Sequence, residues 1–387
     1  MKRINSIDFT RGLVMIIMAL DHTRDFMHVN SLTQSPTDLA TTSPVLFFTR
    51  WITHFCAPVF VFLAGSSAFL SFKRQQDVKK ARRFLLSRGI WLIFIEFTVV
   101  NFALWFDFRF RNMIFEVIGA IGLGFVVLSF LLKLPAKTIG IAGLLIIALH
   151  DLFAFIPFTK GSALNIVLSP LFTLIPFQVN TRTVLLVAYP VIPWLGIMLA
   201  GFACGGLFEL SESKRKNIFL KSGIVLLILF ILIRYSNFYG DPVKWSVQKN
   251  AVYTILSFLN ITKYPPSLLF TLLTLGGMFL ILAISENIRG RVGRIVSIYG
   301  KVPFFYFLIH LYLLHFILMA MLFLQGFQWK DLLFGNFRFG RPEAASGVRL
   351  WVIYLIWAAV VTLLYPLCKW YGRYKSAHRG KQWLRYL

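Results

Sequence analysis

Acidic residues are scarce in this chain: 15 Asp and Glu stand against 40 Lys and Arg in 387 residues, a formal net charge of +25. Charged residues of both signs make up only 14% of the sequence, while 58% is hydrophobic and the mean hydropathy is +0.73. A soluble domain carries about 25% charged residues. It could not hide this much apolar surface from water, because the buried fraction rises only slowly with size, so lipid must be part of the solvent. The three cysteines, Cys56, Cys204 and Cys368, lie in or beside apolar runs and read as small buried hydrophobes, which excludes a disulfide framework. A Gly-rich phosphate loop, a His-Glu-x-x-His pair and a serine nucleophile elbow are all missing. No small-residue cleavage site follows the first apolar run; Asp21-His22-Thr23-Arg24 does, so that run is expected to be a retained helix and not a signal peptide.

The runs themselves carry the fold. A helical span needs about 20 mostly apolar residues. Ten candidates appear, near 8–28, 54–72, 88–106, 113–132, 138–157, 184–207, 218–234, 266–285, 302–325 and 349–368. The apolar stretch 162–177 is broken by Pro170 and Pro176 and is expected to re-enter, to lie at the interface, or to form an eleventh span. The expected fold is all-α: a polytopic integral membrane bundle forming a single domain over 1–387. Basic residues crowd at 2–11, 73–88, 133–137, 214–221, 289–301 and 369–385, which together hold about 26 of the 40. With ten spans these stretches share one side, which the positive-inside rule makes cytoplasmic, together with both termini. An anionic inner leaflet, not nucleic acid, is the partner such clusters suit. The longer loops near 29–53, 158–183, 235–265 and 326–348 carry Tyr235, Tyr239, Trp245 and Trp329, suited to an interfacial belt.

The first span carries a polar stripe. Arg11 and His22 are three turns plus roughly 20° apart, about 16 Å of rise, and Asp8 and Asp25 fall within about 60° of His22. Such groups must face protein or water, since a charge in hydrocarbon costs several kcal/mol. Helix-end snorkelling of Arg11 and a satisfied core His22 would explain each residue alone; their shared face favours a polar channel. Asp25, three positions after His22, is within helical reach to orient its imidazole as a base. In the second span Pro58 either kinks the helix or sits in its first turn, His54 lies at a depth like that of His22, and Gly65-Ser66-Ser67 offers a small-residue packing face. Glu96 falls inside the third span, His310 and His315 in the ninth, and Lys263 at the outer end of the eighth. His22, His54 and His310 could meet as facing imidazoles, though the spacing does not require it, and neither haem nor another metal is expected.

Three patches carry a family resemblance. Arg3-Ile4-Asn5-Ser6-Ile7-Asp8-Phe9-Thr10-Arg11-Gly12 resembles the start of the first catalytic-domain helix of heparan-α-glucosaminide N-acetyltransferase and its bacterial relatives. Ala57-Pro58-Val59-Phe60-Val61-Phe62-Leu63-Ala64-Gly65-Ser66-Ser67 is similar to the family's second-helix motif, and Tyr299-Gly300-Lys301-Val302-Pro303-Phe304-Phe305-Tyr306 with His310 to its late-helix motif. The Arg–ten residues–His spacing of Arg11 and His22 also resembles that of the wider superfamily containing the acyltransferase-three membrane proteins. The sequence departs from the family in one respect: the comparable place for an outer-loop catalytic His is near Pro44, where there is none, so the chemistry is expected at His22, His28 or His54. The resemblance implies acyl transfer from cytoplasmic acetyl-CoA, or another acyl-CoA, to an acceptor such as an envelope sugar or glycan on the outer side of a bacterial inner membrane. Arg11 and Asp8 are then the expected donor-binding residues. His22 acts as base or acyl-accepting nucleophile, assisted by Asp25 and His54. The competing reading is a transporter or flippase for an envelope precursor; oligomeric state is left open.

Overall fold

The computed structural model describes residues 4–155, 162–288, 290–378 and 380–385. Lys2 and Arg3, Arg289 and Arg379 of the basic stretches, and 156–161 at the end of the expected 138–157 span, lie outside the described residues.

Helix α1 runs Asn5–Met27. Helix α2, Pro44–Trp51, starts on the Ser43 side chain, which accepts from the Leu46 N–H, with Pro44 in the first turn where its missing N–H costs nothing. A 3₁₀ turn, Ile52–Phe55, joins it to α3, Cys56–Gln75, so that Pro58 sits in the first turn of α3. Asp77 caps α4, Val78–Ile95, by accepting from Lys80 N–H. A π turn, Glu96–Val100, continues α4 into α5, Asn101–Trp105.

Strand β1, Asn112–Phe115, precedes α6, Val117–Leu131, and α7, Ala136–Leu149. Then come α8, Ala163–Phe172, strands β2, Ile175–Gln178, and β3, Val184–Val187, and α9, Val191–Ala203. The chain closes with α10, Glu212–Ser236; α11, Ala251–Leu259; α12, Leu268–Ser285; α13, Arg291–Lys301; α14, Pro303–Leu324; and α15, Leu350–Ala377.

Eight helical segments among the described residues are long and apolar enough to cross a membrane: Pro44–Gln75, Val78–Trp105, Ala136–Phe153, Val191–Glu209, Glu212–Ser236, Leu268–Ser285, Pro303–Leu324 and Leu350–Ala377. This is an integral membrane protein. Two of the ten expected spans fall short of that measure for different reasons. Helix α1 is long enough at 23 residues but carries Asp8, Arg11, Asp21, Arg24 and Asp25. Helix α6 is apolar but has only 15 residues. The stretch 162–177 does not make an eleventh span: α8 has 10 residues, about 15 Å of helix, and is followed at once by β2.

The all-α expectation holds for the bundle, with one small addition that the sequence did not suggest. Strands β1, β3 and β2 form a small sheet, with β1 and β3 parallel (Asn112↔Val184 to Phe115↔Val187) and β2 and β3 antiparallel. Short apolar runs such as Val184–Val187 cannot be told from helix by periodicity, and the expected 113–132 and 184–207 spans each absorbed one strand.

Connections alternate between a basic end, which holds the α3–α4, α6–α7 and α9–α10 turns, and a loop end that holds the sheet and the segments 28–43, 237–267 and 325–349. At the loop end Arg234 and Arg341 act as backbone clamps. Arg234 is buried and donates to the carbonyls of Val243, Ser257, Phe258 and Asn260. Arg341 is buried and donates to His28 O, Ser31 Oγ and Ser346 Oγ. The Tyr264–Pro265 peptide is cis.

Helix α1 lies in the middle, touching α3, α12, α13, α14 and α15. Its closest neighbour is α13, an amphipathic helix where the sequence suggested only a basic loop. A Cβ placed on Gly12 would collide with the Val296 carbonyl, and one on Gly300 with the Asp8 carbonyl, so the two backbones touch. The small-residue face of α3 behaves as expected: Gly65 and Gly201 let α3 and α9 meet, and Ser66 Oγ donates to Gly201 O at 2.8 Å.

Gly300→Val is therefore expected to destabilise the protein by about 1–3 kcal/mol or more, read as a lower thermal midpoint in detergent. Gly290→Ala, where nothing stands within 4 Å, should leave the midpoint unchanged. Equal midpoints for the two variants would contradict the α1–α13 contact.

Candidate active site

Near the loop end of α1, two imidazoles face each other. His22 Nδ1 and His310 Nε2 stand 2.8 Å apart, with ring planes inclined by 12°. His310 Nδ1 lies 3.0 Å from the Tyr306 carbonyl of its own helix. A carbonyl only accepts, so Nδ1 carries the His310 proton and its Nε2 is bare. His22 must then donate from Nδ1, which leaves the lone pair on His22 Nε2. Backbone geometry thus sets the tautomers of both rings and makes His22 the base of the pair.

His22 borders a cavity of about 150 Å³, outer only in the sense of lying nearer the loop end, with Asp21, Asp25, Thr53, Cys56, Glu116, Tyr189, Lys263 and Tyr264 among its walls. The sheet brings two of these. Glu116 follows β1 directly, and Tyr189 follows β3, with the Ala188 and Tyr189 N–H groups both on Phe115 O. Glu116 is fixed from behind, because its N–H donates to the buried Glu96 carboxyl on the π turn at 2.5 Å. Asn101 ties the same turn to β1 through Ile114 N and Ile114 O.

A charge cluster supports the mouth. Asp21 accepts from Arg24 at 2.7 Å and from Arg50 at 2.5 Å, and Arg24 also reaches Asp25 at 2.5 Å. Lys263 is buried, with its ammonium 4.9 Å from the Tyr264 ring centre.

A second cavity of about 300 Å³ opens below, toward the basic end. Arg11, Ser67, Ser71 and Arg88 are its polar walls, and apolar side chains of α1, α3, α4, α6 and α14 form the rest. Arg11 is held by Leu63 O at 2.9 Å and Ser67 Oγ at 2.7 Å. Met18, Phe60, Val117 and Phe307 line both cavities where the two adjoin.

The expected site residues are thus distributed unevenly. Arg11 borders the inner cavity, and His22 and Asp25 the outer one. Asp25 was expected to orient His22, but its carboxylate accepts from Arg24, and His310 is the partner of the ring. His54 was expected beside His22; it is buried with its ring 5.5 Å from that of Phe270 and is not a wall of either cavity. Asp8 is buried at the α1–α13 crossing and does not border the inner cavity. His28 serves the cap, its carbonyl accepting from Arg341 and Ser31.

Sequence reasoning missed Asp21, Arg24, Glu116, Tyr189 and Arg88 as site residues. Asp21 and Arg24 flank His22 and carried a signal; Glu116 and Tyr189 are placed by a sheet that had none. Among the described residues no group of three or more His, Cys, Asp or Glu is placed to hold a metal ion.

Fold and site together define a polytopic helical membrane protein with one ring of a histidine pair, His22, on the wall of one of two adjoining cavities. Comparison with known families makes this specific. The profile of the family described as heparan-alpha-glucosaminide N-acetyltransferase, catalytic, matches residues 3–238, and the chain belongs to that family. No curated protein shows significant similarity to it. The match includes α1 through α10, whereas His310, Phe307 and Lys263 lie beyond it.

The charge cluster generates a stability prediction. Removing one partner of a buried ion pair costs about 3–5 kcal/mol, mostly from the charge left behind. Arg50→Ala should lower the thermal midpoint markedly, and adding Asp21→Asn should restore part of the loss. A double variant that unfolds earlier than Arg50→Ala would contradict the pairing.

Proposed function

We propose that this protein is a membrane-embedded acyltransferase moving an acyl group, acetyl above all, from acyl-CoA on the cytoplasmic side to a sugar or envelope-glycan acceptor on the outer side of a bacterial inner membrane. The observation that carries the reading is the His22–His310 pair, with its lone pair on Nε2, next to the neck where two cavities adjoin. The family match supports a transferase. The basic stretches support placing the inner cavity, both termini and the α3–α4 turn in the cytoplasm, with α1 and α6 as the ninth and tenth crossings of a single domain.

Arg11 and Arg88, with the Ser67 and Ser71 hydroxyls, give the inner cavity the charge and hydrogen-bond donors that a phosphate-bearing chain requires. Asp8 lies one turn before Arg11, and its backbone carbonyl meets Gly300 at the α1–α13 crossing. When bound, acetyl-CoA supplies the acetyl thioester. His22 Nε2 takes the proton of the acceptor hydroxyl or amine as that atom bonds to the thioester carbonyl carbon. The carbon–sulfur bond breaks, and His22 returns the proton to the departing thiolate. His310 holds the ring in the productive tautomer throughout, and Asp21 and Asp25 stabilise the transient imidazolium. His54 supports the packing beneath.

Three measurements bear on this. Purified His22→Ala is expected to lose acetyl transfer by about 10²–10⁴-fold while still binding CoA; wild-type turnover in that variant would sink the proposal and favour a transporter, which consumes no acetyl-CoA. Arg11→Ala should weaken acetyl-CoA binding by about 1.5–3 kcal/mol, and unchanged affinity in a folded variant would remove Arg11 from the donor site. Cysteines introduced at Lys79 and Ser376 should escape impermeant thiol labelling in intact cells. Strong labelling of either would reverse the orientation.

A further inference from the structure

Both cavities share four side chains, and their position relative to the histidine pair has a consequence for the donor. Met18 is one helical turn before His22 on the same face of α1. Phe307 is one turn before His310 on α14, with its ring 6.4 Å from that of His22 at 70° and 5.8 Å from that of His310. Phe60 comes from α3 and Val117 from the first turn of α6. These four side chains therefore form the neck where the two cavities adjoin, next to the imidazole pair.

A thioester carbonyl that an acceptor at His22 can attack has to stand at the level of this neck. One substituent of that carbonyl, the sulfur with its long arm, leads back into the inner cavity toward Arg11. The other is the acyl chain, which must fit among the neck side chains or in the outer cavity. That cavity measures about 150 Å³, and a space of this size holds one benzene-sized body. It also has to admit the acceptor's nucleophilic group. A methyl fits in the remaining space; each further methylene displaces either the acceptor or a wall.

From this we infer that Met18, Phe60, Val117 and Phe307 form an acyl-length sieve that restricts the donor to the shortest acyl-CoA. The inference rests on the transferase reading and adds the selection rule to it. The walls differ in what they can yield. Methionine is flexible and adapts, whereas Val117 at a helix start and the Phe60 ring are stiff, so the last two set the limit. One methylene too many in a hydrophobic pocket lowers specificity by about 10–200-fold.

The test uses purified full-length protein in liposomes and reads CoA thiol release with acetyl-CoA, propionyl-CoA and butyryl-CoA at a fixed sugar acceptor. Wild type is expected to prefer acetyl over butyryl by at least about tenfold. Phe60→Leu and Val117→Ala should each raise the butyryl-to-acetyl ratio by a similar factor; two variants on different helices guard against misfolding of one. Leu145→Ala, on the exposed face of α7, should keep the wild-type ratio. Equal rates with acetyl and butyryl donors in wild type, or an unaltered ratio in both wall variants, would overturn the sieve and leave acyl transfer standing. Absence of acyl-CoA turnover in wild type with every donor would remove the transferase reading and the sieve together.

Discussion

Helix α1 brings two arginines, three aspartates and a histidine into the middle of a bundle of apolar helices. An isolated charge in hydrocarbon costs several kcal/mol, and these groups cannot all snorkel to the same surface. The bundle answers by enclosing α1 on nearly every side and giving its charged groups protein partners: Leu63 O and Ser67 for Arg11, Arg24 and Arg50 for Asp21, and His310 for His22. Close approach at Gly12 and Gly300 lets α13 fill the remaining side. The cavities follow from the same constraint, because they form where the neighbouring helices do not fully cover a helix that must stay polar.

Much of this was legible in the sequence because it depends on composition and helical period. Arg11 and His22 were read as one face at two depths, and the two border different cavities. The Gly65–Ser66 packing face and the long apolar helices are likewise local properties of the chain. What could not be read is tertiary. The spacing left open whether His22 would meet His310, 288 positions away, and Asp25, the nearest carboxylate by helical reach, pairs with its sequence neighbour Arg24. Glu116 and Tyr189 reach the outer cavity through strand pairing between segments about 70 residues apart, whose four-residue apolar strands look like the first turns of membrane helices. His54 shares a depth with His22 but not a face.

The family match ends at residue 238, yet the site needs residues on both sides of that limit. His310 fixes the tautomer, Phe307 lines the neck, and Lys263 adds a cation to the outer cavity. The first part of the chain thus carries His22 and most of the inner-cavity walls, while α14 supplies the ring that His22 hydrogen-bonds and the rest of those walls. Two neutral imidazoles can share this hydrogen bond without a charge between them, and the Asp21 and Asp25 carboxylates nearby pair with Arg24 and Arg50.

The central claim is that His22 and His310 act as one unit. A double-mutant cycle on acetyl-CoA turnover tests it most directly. Residues acting as a unit are non-additive: once His22 is alanine, the further His310→Ala substitution should change the rate little, although His310→Ala alone should slow it severely. Losses that multiply in the double variant, as for two independent sites, would contradict the account.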